Sequence, residues 1–271
     1  MTQDSGLRTQ DSGLRTQDSG LRTQDELCPK EHAMNRSDFE EMLTTQNIHW
    51  WFEGKRRVID SIIRKHKAIS LHKNSRILEI GSGTGSNLGI LSKYGHVTAM
   101  ELDDYARKNI QGTPSITKVK GWLPDGLDEI QRETFSLICM FDVLEHIADE
   151  GLALEALKPY IAHGGCMFIT VPAYQWMFSA HDVKLGHYRR YTRKMLTGLL
   201  ASHGFSVDYS GYINTFLFPL MALARAFNLS GSGIPGFGLN RIFTEIYSLE
   251  AFFVPSVSFP FGGSVAAVCH I

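Results

Sequence analysis

No charge of one sign dominates the 271-residue chain: 27 Lys and Arg stand against 28 Asp and Glu, for a formal net charge of -1. A nucleic-acid binder ordinarily carries a basic surplus, so that class has no electrostatic support and no nucleic-acid partner is expected. Cysteine is scarce as well. The four residues Cys28, Cys139, Cys166 and Cys269 are scattered and form no CxxC pair, which argues against a thiolate zinc site and against a disulfide framework. Cys139, Cys166 and Cys269 lie in apolar runs and read as small buried hydrophobes; no metal is expected. Long apolar runs are missing too. In the apolar C-terminal part the longest, Phe216 to Ala224, has nine residues, too few to span a bilayer. The first residues are polar and lack the apolar core of a secretory signal, so the chain reads as cytoplasmic. The hydrophobic fraction of 43% still allows a sizeable core.

The N-terminus repeats itself. "TQDSGLR" occurs at 2–8, 9–15 and 16–22, followed by "TQD". Each unit has one Leu and no second apolar position, so there is no coiled-coil seam. Seven residues are also too few for a solenoid unit. Residues 1–30 are expected to be disordered.

From about Ser37 the chain becomes organised. Residues 37–66 predict one or two helices with Ser37 or Asp38 as N-cap, part of an N-terminal helical cap over 31–72. Apolar strand-like runs then alternate with helical segments: strands at 76–81, 96–103, 116–121, 135–142 and 166–173, helices at 84–94, 104–111 and 148–159. Continuous apolar strands between helices indicate a parallel sheet covered on both faces, a doubly wound α/β fold. A helix at 192–203 and strands at 205–213 and 263–271 complete it. The core domain is placed at 73–213, an apolar insertion at 214–262, and the final strand at 263–271.

The turn after the first strand is "LEIGSGTGSN" (78–87), with glycines at 81, 83 and 85. Glycine accepts positive φ and leaves backbone donors bare at a helix start, a device for holding a ligand. The dinucleotide fingerprint GxGxxG requires glycine at 86, where this chain has Ser86. Glu101 ends the second strand, twenty residues after Gly81, where a carboxylate accepts hydrogen bonds from a ribose. The neighbourhood decides between ligands. The fourth strand runs into "FDVLEHIAD" (141–149), and "LKPYIAHGG" and "ITVPA" follow. Together these stretches resemble class I S-adenosylmethionine-dependent methyltransferases, in the branch with D-V-L-E-H after the fourth strand, over residues 45–212.

The resemblance implies a Rossmann-like sheet of seven strands, mostly parallel, with an antiparallel last strand. It also implies S-adenosylmethionine as cofactor. Glu79, Gly81, Gly83 and Gly85 would line its methionine end, and Glu101 its ribose. Leu102 would pack on the adenine, with Gly121, Trp122 and Leu123 flanking that ring. Many relatives carry an aspartate near position 122; Trp122 departs from that, and Asp125 or backbone groups would have to serve. Phe141 and Asp142 would lie near the sulfonium, although Phe141 and Leu102 suit ordinary core packing equally well. The segment "HWWFEGKRR" (49–57) resembles one subgroup in which an aromatic, basic helix lies over the cofactor. There Trp51 would face the sulfonium and Arg56 or Arg57 would fork the carboxylate; alternatively the tryptophans staple the helix to the sheet.

The stretch "AHDVKLGHYRRYT" (180–192) has no helical or strand period. It follows the fifth strand, at the sheet edge where ligands of open α/β folds sit, and the same subgroup carries a similar H-D…H-x-R-R-Y-T run. Methyl transfer needs its partners aligned and a base when the nucleophile carries a proton. His181, His187 and His146 are the candidates, with Asp182 to orient one imidazole. Tyr188, Arg189, Arg190 and Tyr191 suit an anionic acceptor, or lock the loop to a helix capped by Thr192.

The insertion 214–262 reads first as a buried helical lid. A dimer surface or a peripheral membrane contact are the alternatives. The function expected is methyl transfer to an oxygen or nitrogen of a small or amphiphilic acceptor, anionic or lipid-linked. A non-catalytic cofactor-binding protein and a nicotinamide oxidoreductase are the competing classes.

Overall fold

The computed structural model describes residues 34–271 except 68, 133 and 228–234. The N-terminal repeat and its expected disorder lie outside the described residues.

Seven strands form one sheet: β1 Arg76–Ile80, β2 His96–Glu101, β3 Ile116–Lys120, β4 Phe135–Phe141, β5 Ile161–Pro172, β6 Ser206–Ile213 and β7 Ser264–His270. Their order is β3-β2-β1-β4-β5-β7-β6. β1 pairs in parallel with both β2 and β4, and β4 with β5. β7 runs antiparallel to β5 and to β6. The crossover direction reverses between β1 and β4, so their C-terminal ends open a crevice at the switch point.

β1, β2, β4, β7 and most of β5 are buried on both faces, as continuous apolar runs require, whereas the edge strand β3 is not. Leu78, Ile138, Met140 and Ile169 point into one core with Leu154, Leu196 and Leu200. Their strand neighbours Ile77, Leu137 and Phe168 point into the other, with Val58, Ile59 and Ile62. Each such side chain contributes about 1.5–3 kcal/mol by leaving water.

Two helices precede the sheet, α1 Arg36–Thr45 and α2 Trp50–Lys65. The cap of α1 is Asn35 rather than Ser37 or Asp38. The Asn35 side chain accepts from Asp38 N, and the Asp38 carboxylate accepts from Asn35 N, both at 3.2 Å, a reciprocal capping box. After β1 the expected helix shrinks to α3 Leu88–Leu91, because the glycines at 81, 83 and 85 hold positive φ and keep the chain in turns. α4 Asp104–Asn109, α5 Glu150–Leu157, the short α6 Ala180–Lys184 and α7 Arg193–Ser202 follow. Thr192 caps α7, its hydroxyl accepting from Met195 N at 3.2 Å.

The segment between β6 and β7 holds α8 Phe218–Ala226 and α9 Phe237–Phe253. Neither forms the buried lid expected. α9 lies along α2: Trp50 N donates to Asn240 Oδ1 (2.9 Å), Trp50 sits edge-on to Phe243 and Tyr247, and Gly54 leaves no room for a Cβ against the Tyr247 ring. α8 buries no residue. Phe237 is 85% exposed and Phe252 76%, with Leu220, Leu223, Ile242 and Leu249 also outward. No helix among the described residues is long and apolar enough to cross a membrane.

Candidate active site

β1 ends at Ile80, and Gly81, Gly83 and Gly85 follow at φ of 63°, 54° and 90°. A Cβ on Gly81 would stand 2.7 Å from Val143 Cγ2, so the turn presses against the chain leaving β4. Glu101 reaches across from the end of β2. Its carboxylate accepts from Gly83 N (2.7 Å) and Asp103 N (2.9 Å). Burial raises its pKa while these donors oppose the rise. Glu79 is 1% exposed. One oxygen accepts from Asn87 Nδ2 at 2.9 Å; the other has no partner among the described residues. Burial, opposed by Asn87, pushes this carboxyl up to about 8. α1 covers the turn, with Thr84 Oγ1 donating to Gln46 Oε1 at 2.7 Å.

β4 delivers Asp142 at a φ of 55°. One carboxylate oxygen pairs with the buried Lys55 ammonium and the other accepts from Thr170 Oγ1 at 3.2 Å. Lys55 also sits 4.7 Å above the Trp51 ring. Sequence reasoning passed over Lys55. The signal was available: Lys55 continues the inward stripe of Trp51, Val58, Ile59 and Ile62 at helical spacing, and a lysine there must be paired. The Trp51 face expected to meet a sulfonium meets this ammonium instead. Arg57 is likewise turned away from the crevice, to Glu53 (2.6 Å), Glu245 (3.2 Å) and Ser248 (3.0 Å), because α9 packs beside it. Arg56 donates to Gln46 O.

Beyond Asp142, a 3-10 turn at Leu144–His146 meets the loop after β5. Tyr188 N donates to Glu145 O (2.8 Å), and the His146 and His187 rings stand edge to face at 4.6 Å. Burial, then the neighbouring His187, lower His146 to about 4. Asp182 is fully buried. It accepts from His187 Nδ1 (2.9 Å), Arg190 Nε (2.7 Å) and Ser179 N (2.9 Å). Burial works against ionisation, but these partners outweigh it and hold the carboxyl well below its ordinary value.

The structure therefore redistributes the roles expected for this loop. His146, Asp182 and His187 come together. His181 does not join them: it lies on the exposed side of α6, and Asp182 orients His187 rather than His181. The guanidiniums expected to meet an anionic acceptor are already engaged. Arg189 pairs with Glu150 and donates to Ala148 O (2.8 Å), and Tyr191 donates to Glu150 at 2.8 Å. Arg190 is buried on Asp182 and Ala173 O. Tyr188 is exposed beside Arg189. Arg189 and Tyr191 thus lock the loop to α5, and Arg190 holds the loop together through Asp182, since a buried charge needs an opposite partner close by.

The remaining positions lie around the crevice. Gly121 backs on to Met100, a Cβ there falling 2.7 Å from its sulfur. Trp122 covers Gly126, and its indole N–H is buried without a partner among the described residues. Leu123 and Phe141 are buried, Phe141 edge-on to Phe168 at 5.1 Å. Leu102 is half-buried just past Glu101.

A doubly wound sheet with a glycine turn at its switch point and a carboxylate ending β2 is a Rossmann-like nucleotide-binding architecture, and the sheet order with an antiparallel β7 is that of class I S-adenosylmethionine-dependent methyltransferases. Comparison agrees. The model of a methyltransferase domain family matches residues 49–210, more than half of the chain, and the chain belongs to that family. Its cofactor is S-adenosylmethionine. No curated protein matches the sequence significantly. Among solved structures, similar folds include the methyltransferase in complex with the Haloferax volcanii Trm112 activator. That match has 13% identity, 86% of this chain, 93% of that one and a TM-score of 0.55. A TehB-like S-adenosylmethionine-dependent methyltransferase from Corynebacterium glutamicum matches at 16% identity, with 87% and 98% covered and a TM-score of 0.51. One from Archaeoglobus fulgidus matches at 16%, with 81% and 97% covered and a TM-score of 0.51. Family membership sets the nicotinamide alternative aside.

The residues fit that cofactor. The unpartnered Glu79 oxygen offers an acceptor to an ammonium, and an unpaired buried carboxylate oxygen calls for a partner. Its raised pKa has a consequence for the cofactor-free protein. The folded value of about 8 lies above the ordinary 4.5, so the fold holds a proton that the unfolded chain releases. Stability on this account is full below about pH 4.5 and falls as pH rises toward 8. Glu79→Gln removes the effect, so its advantage over the natural protein should grow by up to about 1.4 kcal/mol per pH unit in that window. Urea unfolding at pH 5, 6.5 and 8 measures it; a difference that does not change with pH would remove the burial argument.

Proposed function

We propose that the protein moves a methyl group from S-adenosylmethionine to an oxygen or nitrogen of an amphiphilic acceptor lying over the C-terminal ends of β4 and β5. When bound, the cofactor supplies an electrophilic methyl carbon on positive sulfur. Glu101 holds its ribose, Glu79 and the glycine turn its methionine end, and Gly121, Trp122 and Leu123 its adenine. The polar end of the acceptor meets His146 and His187, and the Asp182 carboxylate keeps His187 in one orientation.

The observation that carries the amphiphilic class is the junction of this polar cluster with apolar surface. Arg225 of α8 donates to Ser179 at 2.6 Å, joining the outward apolar helix to the loop that bears Asp182 and His187. Tyr174, Trp176 and Phe218 form an aromatic wall between them. A lipid-linked acceptor approached from a membrane surface suits such a face. An anionic acceptor head loses its support, because Arg189 and Arg190 are paired within the chain.

The test incubates the purified protein with methyl-labelled S-adenosylmethionine and either the lipid or the aqueous fraction of a cell extract. Label is expected in the lipid fraction. Label in the aqueous fraction alone refutes the amphiphilic acceptor, and cofactor binding without transfer to either fraction supports the non-catalytic alternative.

A further inference from the structure

Glu145 presents an unsolved problem of charge. Its side chain is 0% exposed, and neither carboxylate oxygen has a hydrogen-bond partner among the described residues. Native structures rarely leave such a group alone, and a missing ion is one of the few explanations. Two other metal-ligating side chains flank it. The ligand atoms of Glu145, His146 and His187 all lie within 4.8 Å of one another.

We propose that Glu145, His146 and His187 bind a divalent transition-metal ion of the zinc type. Two imidazoles and one carboxylate are a donor set for such an ion, whereas magnesium and calcium favour oxygen alone. The ligands are built for it in a second way. His187 Nδ1 lies 2.9 Å from Asp182 Oδ1, which places the proton on Nδ1 and leaves the Nε2 lone pair free. A carboxylate behind a ligating histidine is the usual support of a metal site. Asp182 is itself held by Arg190 (2.7 Å) and Ser179 (2.9 Å). The hydrogen bond from Tyr188 N to Glu145 O ties the two ligand-bearing segments together at 2.8 Å. An ion seated among donors within 4.8 Å of one another would draw them to the roughly 2.0–2.2 Å that zinc requires. Scattered cysteines gave no sign of this site, because its ligands are imidazole and carboxylate.

Ion binding here does not depend on the proposed methyl transfer. Resting on that proposal, a further consequence is that the open coordination positions would hold an acceptor oxygen and favour its deprotonated form.

The test uses the full chain, stripped with a chelator and free of cofactor. Zinc chloride is titrated in competition with a chromogenic chelator, and melting is followed with and without zinc. One equivalent should bind and raise the melting temperature. His187→Ala and His146→Ala should each weaken binding by about 100-fold or more, with circular dichroism confirming the fold. Cys28→Ser should bind as the natural chain does. A natural protein that takes up no zinc at micromolar concentration overturns the proposal, whatever the variants do. So does binding that survives both histidine substitutions or is lost with Cys28 alone. None of these readouts involves methyl transfer, so failure of one proposal leaves the other standing.

Discussion

Asp182→Ala is expected to lower the melting temperature by about 6–20 °C. The carboxylate is fully buried and serves His187, Arg190 and Ser179 at once. Removing it leaves the buried Arg190 guanidinium, among the described residues, with the Ala173 carbonyl at 3.3 Å as its remaining hydrogen-bond partner. Breaking a buried ion pair from one side costs about 3–5 kcal/mol, and a domain of this size loses roughly 2–4 °C per kcal/mol. It also removes the capping box of α6, in which Ser179 N and Asp182 are joined. The effect has a pH signature. The folded carboxyl titrates below its ordinary value, so its contribution is full above the unfolded value of about 3.9 and is lost as pH falls through the folded one. The gap between natural protein and variant should therefore close in acid. Cofactor affinity should change much less, because the glycine turn and Glu101 lie elsewhere. If instead activity collapses while the melting curve stays in place, Asp182 works on the acceptor and not in the scaffold.

The second large effect falls on the cofactor. Glu101→Ala should weaken binding of S-adenosylhomocysteine by about 10- to 150-fold, the equivalent of 1.5–3 kcal/mol for charge-assisted hydrogen bonds. The structure gives two reasons. The carboxylate stands at the end of β2 beside the glycine turn, and it also fixes that turn by accepting from Gly83 N and Asp103 N. Glu101→Gln keeps one acceptor oxygen and should fall between the two. Calorimetry at constant pH measures all three. Equal affinities would mean that the ribose is held by other groups and that Glu101 serves the turn alone.

Much of this was legible in the chain itself. The strands β1, β2, β4 and β5 are apolar runs broken by turn residues, and such runs bury both faces wherever they fold. The glycine turn was legible because a strand followed by GxGxG leaves few conformations open. His146, Asp182 and His187 were singled out from residue type and place after β4 and β5. Their pairing was another matter. Adjacent residues on a helical turn point in different directions, so His181 and Asp182, neighbours in sequence, serve different surfaces. Arg189 and Arg190 looked free because their acidic partners, Glu150 and Asp182, lie 39 and 8 residues away.

The sequence, then, determined the class: periodicity set the doubly wound sheet, and the glycine turn read together with the D-V-L-E-H stretch after β4 set the cofactor. Tertiary packing decided the rest. It turned Lys55 inward on to Asp142, because α9 and the sheet close over α2 and leave that ammonium no route to water. It set Glu145 beside two imidazoles with both oxygens unpartnered among the described residues. Among the described residues it also left apolar side chains of α8 and α9 outward, since α2 occupies one side of α9. Periodicity reports which residues share a face, but only the folded chain shows what each face meets.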